Sequence, residues 1–222
     1  MIGRFADLAS RVRAQPPRLG QVRVVAVDGP TGGGKTVFAR RLAEALRAAG
    51  ARVAEVHTDD LLDGWDNIVE FWPRLEEWVL RPLSRGQPAA YRRYDWHAGR
   101  FGAELVGVPP PEVLLLEGVT SARAAIRDRL ALSVFVTAPA PLRLERSVAR
   151  DGEALRPHLL RWMAAEADHF AADRTEDCVD IVVDGAPAIA HDPQMEYVCL
   201  GGLRGWGRIT KRADERGKGT HP

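Results

Sequence analysis

The chain has 222 residues, 45% of them hydrophobic and 27% charged, which excludes disorder as the dominant state and gives one globular domain length enough for a full core. Lysine and arginine number 31 against 30 acids, a formal net charge of +1, so nothing global favours nucleic acid or an anionic membrane, and any charge-based function is local. The positive charge is unevenly divided: lysine occurs only at Lys35, Lys211 and Lys218, and arginine supplies the rest.

Met1 to Arg13 places Ile2, Phe5, Leu8, Ala9 and Val12 at helical spacing and stops before Pro16-Pro17, which predicts a helical arm over residues 1–20. Gln21 to Val27 is a β-branched run whose Val24, Val25 and Val27 suit a strand covered on both faces. A glycine-rich turn leads into a helix over Thr36–Ala49, with Phe38, Leu42, Ala43 and Leu46 on one stripe and Gly50 as its C-cap. Val53 to Val56 is a second strand and runs into His57-Thr58-Asp59-Asp60; polar groups at a strand's carboxyl end are where open α/β sheets place chemistry.

Val69, Trp72, Leu75, Trp78, Val79 and Leu83 recur at helical spacing, with Pro73 as an early interruption. The aromatic stretch Tyr91–His97 fits no single element. After Pro109-Pro110-Pro111 comes a buried strand, Val113–Leu116, ending in Glu117-Gly118. Leu132–Val136 is a further strand, Pro141–Arg150 a helix with Arg143, Arg146 and Arg150 on one face, Leu159–Ala172 another helix, and Val179–Val183 the last strand of the series. From His191 onward the pattern decays into one short element and a glycine-rich, basic end. Alternating strands and helices predict an α/β protein with a central, mostly parallel sheet and helices on both faces. The expected domain is 21–190, flanked by the arm and by a 191–222 extension with a flexible end.

Two cysteines, Cys178 and Cys199, are too few for a disulfide framework and lack zinc-ligand spacing. No run has the apolar length to span a bilayer and no segment reads as a signal peptide, so the expectation is a cytoplasmic protein with no membrane partner.

The chemistry concentrates in Gly29-Pro30-Thr31-Gly32-Gly33-Gly34-Lys35-Thr36, which satisfies the pattern G-x-x-x-x-G-K-S/T between a predicted strand and a predicted helix. Glycines let backbone N–H groups curl around a phosphate, and the helix N-terminus adds its positive end. Lys35 supplies a mobile point charge to the outer phosphates, and the Thr36 hydroxyl is a magnesium ligand. Lysine stands here in a chain that otherwise uses arginine up to its tail, as expected where a compact ammonium is required. An Asn-Lys-x-Asp guanine motif is absent, and Glu117-Gly118 stands where many motor ATPases carry Asp-Glu. A small-molecule kinase fits better, with ATP or GTP as phosphate donor and Mg2+ as cofactor.

The chain resembles the uridine kinase family, within the wider group of uridine, pantothenate and phosphoribulose kinases. The resemblance rests on Val25-Ala26-Val27-Asp28-Gly29 leading into the P-loop, Thr58-Asp59-Asp60-Leu61-Leu62, Tyr94-Asp95-Trp96, Leu115-Leu116-Glu117-Gly118, and Arg143-Leu144-Glu145-Arg146-Ser147-Val148-Ala149-Arg150-Asp151, in the family's order. It implies a three-layer P-loop kinase fold and transfer to the 5′-hydroxyl of uridine or cytidine; a non-nucleoside alcohol, or nucleotide binding without transfer, are the alternatives. It implies Asp59 as the general base, bordering the metal, with Asp60 as its rival, and Glu117 as the acid that holds magnesium through water. Arg146 and Arg150 match lid arginines that clamp the transferring phosphoryl, and Arg156 stands in for another. Tyr94, Trp96 and His97 match the segment that meets the pyrimidine, and Asp66 the acid that contacts the ribose. The sequence departs from the family in three places: the lid is Gly152-Glu153-Ala154-Leu155-Arg156-Pro157 instead of a basic segment, Gly99 occupies the usual histidine position with His97 nearer, and the connecting segment at Asp66 is shorter than usual. The tail residues Arg204, Arg208, Lys211, Arg212, Arg216 and Lys218 read as a solvated end, so nucleic acid is not an expected partner, whereas a homo-oligomer is left open.

Overall fold

Strands β2 (Arg23–Asp28) and β6 (Val113–Glu117) are apolar at nearly every position because both of their faces are covered. In the computed structural model, which describes residues 1–65 and 68–202, they are neighbouring interior strands of a seven-stranded sheet. Beside them lie β3 (Val53–His57), β7 (Leu130–Thr137) and β8 (Ile181–Asp184), giving a parallel core in the order β3-β6-β2-β7-β8. Two further strands, β9 (Glu196–Gly202) and the short β1 (Ile2–Arg4), extend it antiparallel at the β8 edge.

Successive residues of β2 serve opposite layers, as strand geometry requires. Val25 and Val27 pack with α1 (Phe5–Ala14) and α2 (Lys35–Ala48), through the Phe38, Leu42, Ala43 and Leu46 stripe. Val24 and Ala26 pack beneath Phe71, Leu75, Leu80 and Trp162. Fully burying each of these larger side chains contributes roughly 1.5–3 kcal/mol. The expected three layers are therefore present. The second layer carries α3 (Trp72–Leu75), a π-helical stretch Glu76–Leu80 and α4 (Arg81–Ser84). It also carries α6 (Arg156–Asp173), through Trp162 and Phe170, followed by the single turn α7 (Thr175–Cys178); α5 (Ala140–Asp151) packs against α6. Pro73 sits in the first turn of its helix, where a missing N–H costs nothing, so it starts the element instead of interrupting it.

One further reading changes and two open ones are filled in. The helix expected from Met1 begins only at Phe5, because Ile2–Arg4 pairs with Glu196–Val198. The short element expected after His191 is β9, which ties both ends of the described chain into one sheet. The unassigned aromatic stretch is β4 (Ala89–Asp95) and the turn that follows, paired antiparallel with β5 (Arg100–Val108) in a separate two-stranded sheet. Among the described residues no helix is long and apolar enough to cross a membrane.

The arrangement collects functional side chains at one edge. Parallel register sets Val27 and His57 beside Glu117, so the carboxyl ends of β2, β3 and β6 and their loops meet there.

Candidate nucleotide and phosphoryl-transfer site

The loop after β2 is held open by its own backbone and by its neighbours. The Gly33 N–H and the Lys35 ammonium both donate to the Pro30 carbonyl, at 3.0 and 3.1 Å. Gly29 has φ 133°, and a Cβ there would lie 2.1 Å from the Val136 carbonyl oxygen, so only glycine lets the loop cross β7 this closely. Gly34, at φ 102°, is the N-cap of α2. Arg146 donates to the Gly32 and Gly185 carbonyls at 3.2 and 3.1 Å, which pins the loop from the α5 side.

Asp28 fastens the loop's entry. Its buried carboxylate accepts the Gly29 and Thr120 N–H groups on Oδ1 at 2.6 and 2.8 Å, and the Ala122 N–H on Oδ2 at 2.8 Å. Burial pushes this carboxyl up to about 7, against the pull of the three N–H bonds and of Lys35. Thr120 takes a left-handed conformation, φ 67°, which a β-branched residue holds only under such restraint. Beside it Gly118, φ 142°, lies so close to Thr58 that a Cβ would come within 1.9 Å of its Oγ1.

Glu117 is the hub of the acidic side. Its Oε1 accepts the Thr36 hydroxyl at 3.1 Å, and its Oε2 lies 2.6 Å from His57 Nδ1. Burial pushes the Glu117 carboxyl up, but the His57 hydrogen bond, Lys35 and Thr36 outweigh it and leave it below the ordinary value. The Glu117 hydrogen bond raises His57, against its partial burial. The two shifts have opposite signs in stability. The His57 contribution is complete below the usual histidine value of 6.5 and is lost as pH rises through the raised folded value. The Glu117 contribution is present above the usual 4.5 and is lost as pH falls through the lowered folded value. His57→Gln is therefore expected to be less stable than the parent by a margin that shrinks from pH 6 toward pH 9, as checked by urea unfolding at both pH values.

Asp59, in the 3-10 turn Thr58–Leu61, opens onto a cleft of about 670 Å³. The enclosing walls raise its carboxyl above the ordinary carboxylate range; Glu117 and Glu166 add to this, and Lys35 and Arg150 oppose it. The side chain is exposed to solvent on its cleft side, which moderates the rise. Asp60 is differently placed: its Oδ2 accepts the Tyr91 hydroxyl and Arg93 Nε, each at 3.0 Å, so it anchors the hairpin.

The cleft brings together Thr31, Gly32, Gly34, Lys35, Thr36, Asp59, Glu117, Arg146 and Arg150. Arg150 is also paired with Asp151, at 2.6 and 2.7 Å. Tyr94, Trp96, His97 and Arg156 do not line this cleft. Tyr94 and Trp96 pack edge to face with each other at 5.2 Å between ring centroids, and Trp96 meets Trp65 at 5.1 Å. His97 is exposed on the hairpin turn, its N–H bonded to Asp95, and Arg156 is half-buried and paired with Glu153. Asp66 and the basic tail after Gly202 lie outside the described residues.

Three features were missed in the sequence. His57 carried a signal, its place at a strand's carboxyl end. Glu166 carried only a faint one, an acid four residues after Trp162 on a helix. The far wall of the cleft, including Asp184, Gly185, Pro187 and Tyr197, carried none, because it is assembled from β8, β9 and the N-terminal arm. The oxygens of Thr36 and Glu117, with Asp59 on the same cleft wall, fit magnesium, which prefers hard oxygen ligands. Among the described residues no three His, Cys, Asp or Glu side chains form a metal cage; magnesium at such sites takes its remaining ligands from phosphate and water.

A family model described as an AAA domain matches residues 25–158, more than half of the chain. The chain belongs to that AAA domain family. The matched part of this AAA domain carries the whole phosphate loop, Asp59, Glu117, Arg146 and Arg150; Glu166 and Asp184, Gly185, Pro187 and Tyr197 of the far wall fall beyond it. The chain is 29% identical over 137 residues to the inorganic pyrophosphatase TTM2 of Arabidopsis thaliana, covering 58% of this chain and 20% of that protein. It is 29% identical over 141 residues to uridine-cytidine kinase C of Dictyostelium discoideum, covering 60% and 30%. It therefore spans less than a third of the length of either curated relative. Among solved structures it shares its fold with a possible uridine kinase from Bacillus stearothermophilus, at TM-score 0.58 and 20% identity, covering 80% of this chain and 96% of that one. It shares it also with a D-glycerate 3-kinase from Cryptococcus neoformans, at TM-score 0.56 and 15% identity, covering 87% and 99%. The fold is that of P-loop small-molecule kinases, and the resemblance to the uridine kinase group read from the motifs agrees with it.

Proposed function

We propose that this protein is a small-molecule kinase, moving the γ-phosphate of ATP or GTP to a hydroxyl, with the 5′-hydroxyl of uridine or cytidine as the leading acceptor. The observation that carries the reading is the shared cleft: a phosphate loop with its lysine faces an aspartate of raised basicity, with Glu117, Thr36 and Arg150 around them.

An acceptor hydroxyl held against Asp59 gives its proton to that carboxylate as its oxygen bonds to the γ-phosphorus. The bond from that phosphorus to the bridging oxygen breaks, and nucleoside diphosphate leaves. Lys35, Arg146 and Arg150 surround the charge that spreads over the transferring oxygens. Thr36 and Glu117 would hold magnesium, with Asp59 at its border, and the ion would neutralise phosphate charge. His57 keeps Glu117 ionised and oriented.

The acceptor is the finer point. The Dictyostelium relative is named a uridine-cytidine kinase, whereas the family's usual histidine position is Gly99 here and His97 is exposed on the turn. A non-nucleoside alcohol on the same fold is the second reading, supported by those departures. A panel of uridine, cytidine, sugars and hydroxy acids with γ-labelled ATP separates them. Labelled uridine or cytidine monophosphate is expected; label on a sugar or hydroxy acid alone favours the second reading.

A further inference from the structure

The phosphate loop has a partner that belongs to neither the metal side nor the lid. Glu166 is 1% exposed, and a carboxylate so buried persists only where donors replace the lost water. It has them. Both of its oxygens lie 3.0 Å from the Thr31 N–H, Oε1 also accepts the Thr31 hydroxyl, and Trp162 Nε1 donates to Oε1 at 2.6 Å. The nearest cation is Arg143, at 4.0 Å. Trp162 Nε1 is in turn 3.1 Å from Thr31 Oγ1, so the three side chains close a hydrogen-bonded ring on the third residue of the loop.

This ring does not resemble ordinary core satisfaction. It joins α6 to the phosphate loop instead of to another helix, and the Glu166 charge reaches as far as Asp59. Trp162 also meets Trp65 edge to face at 5.7 Å, and Trp65 meets Trp96 of the hairpin turn. A loop made of Gly29, Gly32, Gly33 and Gly34 has few side chains of its own to fix it, and Thr31 is where an outside element takes hold.

We propose that Glu166 is a positioning residue for the phosphate loop, holding Thr31 with the help of Trp162 so that the loop's remaining N–H groups face the triphosphate. The inference rests on the reading of this cleft as a nucleoside triphosphate site. Glutamine is not equivalent here: its carbonyl oxygen can take the Thr31 and Trp162 donors of Oε1, but its NH2 then faces the Thr31 N–H that Oε2 accepts, and the negative charge is gone. Trp162→Phe keeps an aromatic side chain and removes one donor, and Thr31→Val removes only the hydroxyl.

The test measures, on the full chain, the affinity for a non-hydrolysable ATP analogue with magnesium by calorimetry, with the thermal midpoint as a control for folding. Glu166→Gln is expected to bind at least about tenfold more weakly, Trp162→Phe about threefold, and Thr31→Val to add little once Glu166 is gone. Non-additivity of Thr31→Val with Trp162→Phe is the expected signature should Glu166→Gln fail to fold. Parental affinity in a folded Glu166→Gln, or effects of Thr31→Val and Trp162→Phe that simply add, would overturn the proposal. Binding by the parent without transfer to any acceptor counts against the kinase reading and leaves this test intact; absence of binding by the parent overturns both.

Discussion

Replacing Asp59 with asparagine is expected to slow phosphoryl transfer by about 10²–10⁴-fold while changing nucleotide affinity only a few-fold. Asparagine keeps the volume and the cleft-facing position and removes only the proton acceptor. Asp59 opens onto the cleft among Lys35, Glu117 and Arg150, so the lost group is the one that the proposed mechanism sets against the acceptor hydroxyl. Asp60→Asn is the matched control. Because Asp60 accepts from Tyr91 and Arg93, its loss should loosen the hairpin and lower the thermal midpoint, with a smaller effect on the rate. Initial rates and calorimetry on both variants check the assignment, and a rate loss confined to Asp60→Asn would reverse it.

Lys35→Met is expected to cost about 10²–10³ in rate and to weaken triphosphate binding, and Lys35→Arg should not restore either. Lys35 is 8% exposed, and its ammonium is held against the Pro30 carbonyl at 3.1 Å inside the loop it serves. A guanidinium is planar, wider and less able to sit as a point charge among phosphate oxygens. The chain uses arginine everywhere else up to its tail, which makes the Arg variant informative: it supplies the usual cation of this protein at the one place before the tail that has lysine. Affinity for ATP and ADP, with the transfer rate, measures both parts. Full activity in Lys35→Arg would mean that charge alone matters there.

Much of the parallel core was legible because its strands are buried on both faces, so Val24–Val27 and Val113–Leu116 read as continuous apolar runs. The phosphate loop was legible because glycine, lysine and threonine at fixed spacing are demanded by phosphate itself. What escaped is non-local. β5 escaped because it pairs only with β4, leaves Leu105 63% exposed and contains two glycines, so no face of it shows a clear alternation; the β4–β5 register also shifts between Arg92 and Tyr94. Ile2–Arg4 looks helical until the fold brings it beside β9. Glu166 is one more helical acid in sequence, and only the packing of α6 against Thr31 gives it a role. The aromatic segment Tyr94–Trp96 was visible as a motif, yet its rings pack with Trp65 and Phe101, outside the cleft that holds the phosphate loop.

The central claim concerns where the γ-phosphate goes. The most direct measurement incubates the full chain with γ-labelled ATP, magnesium and an equimolar mixture of nucleosides, sugars and hydroxy acids, and separates phosphate esters from inorganic phosphate. The expected result is label in an ester of one acceptor, lost in Asp59→Asn. Label found only as inorganic phosphate with every acceptor present, or tight ATP binding with no turnover, would contradict the account.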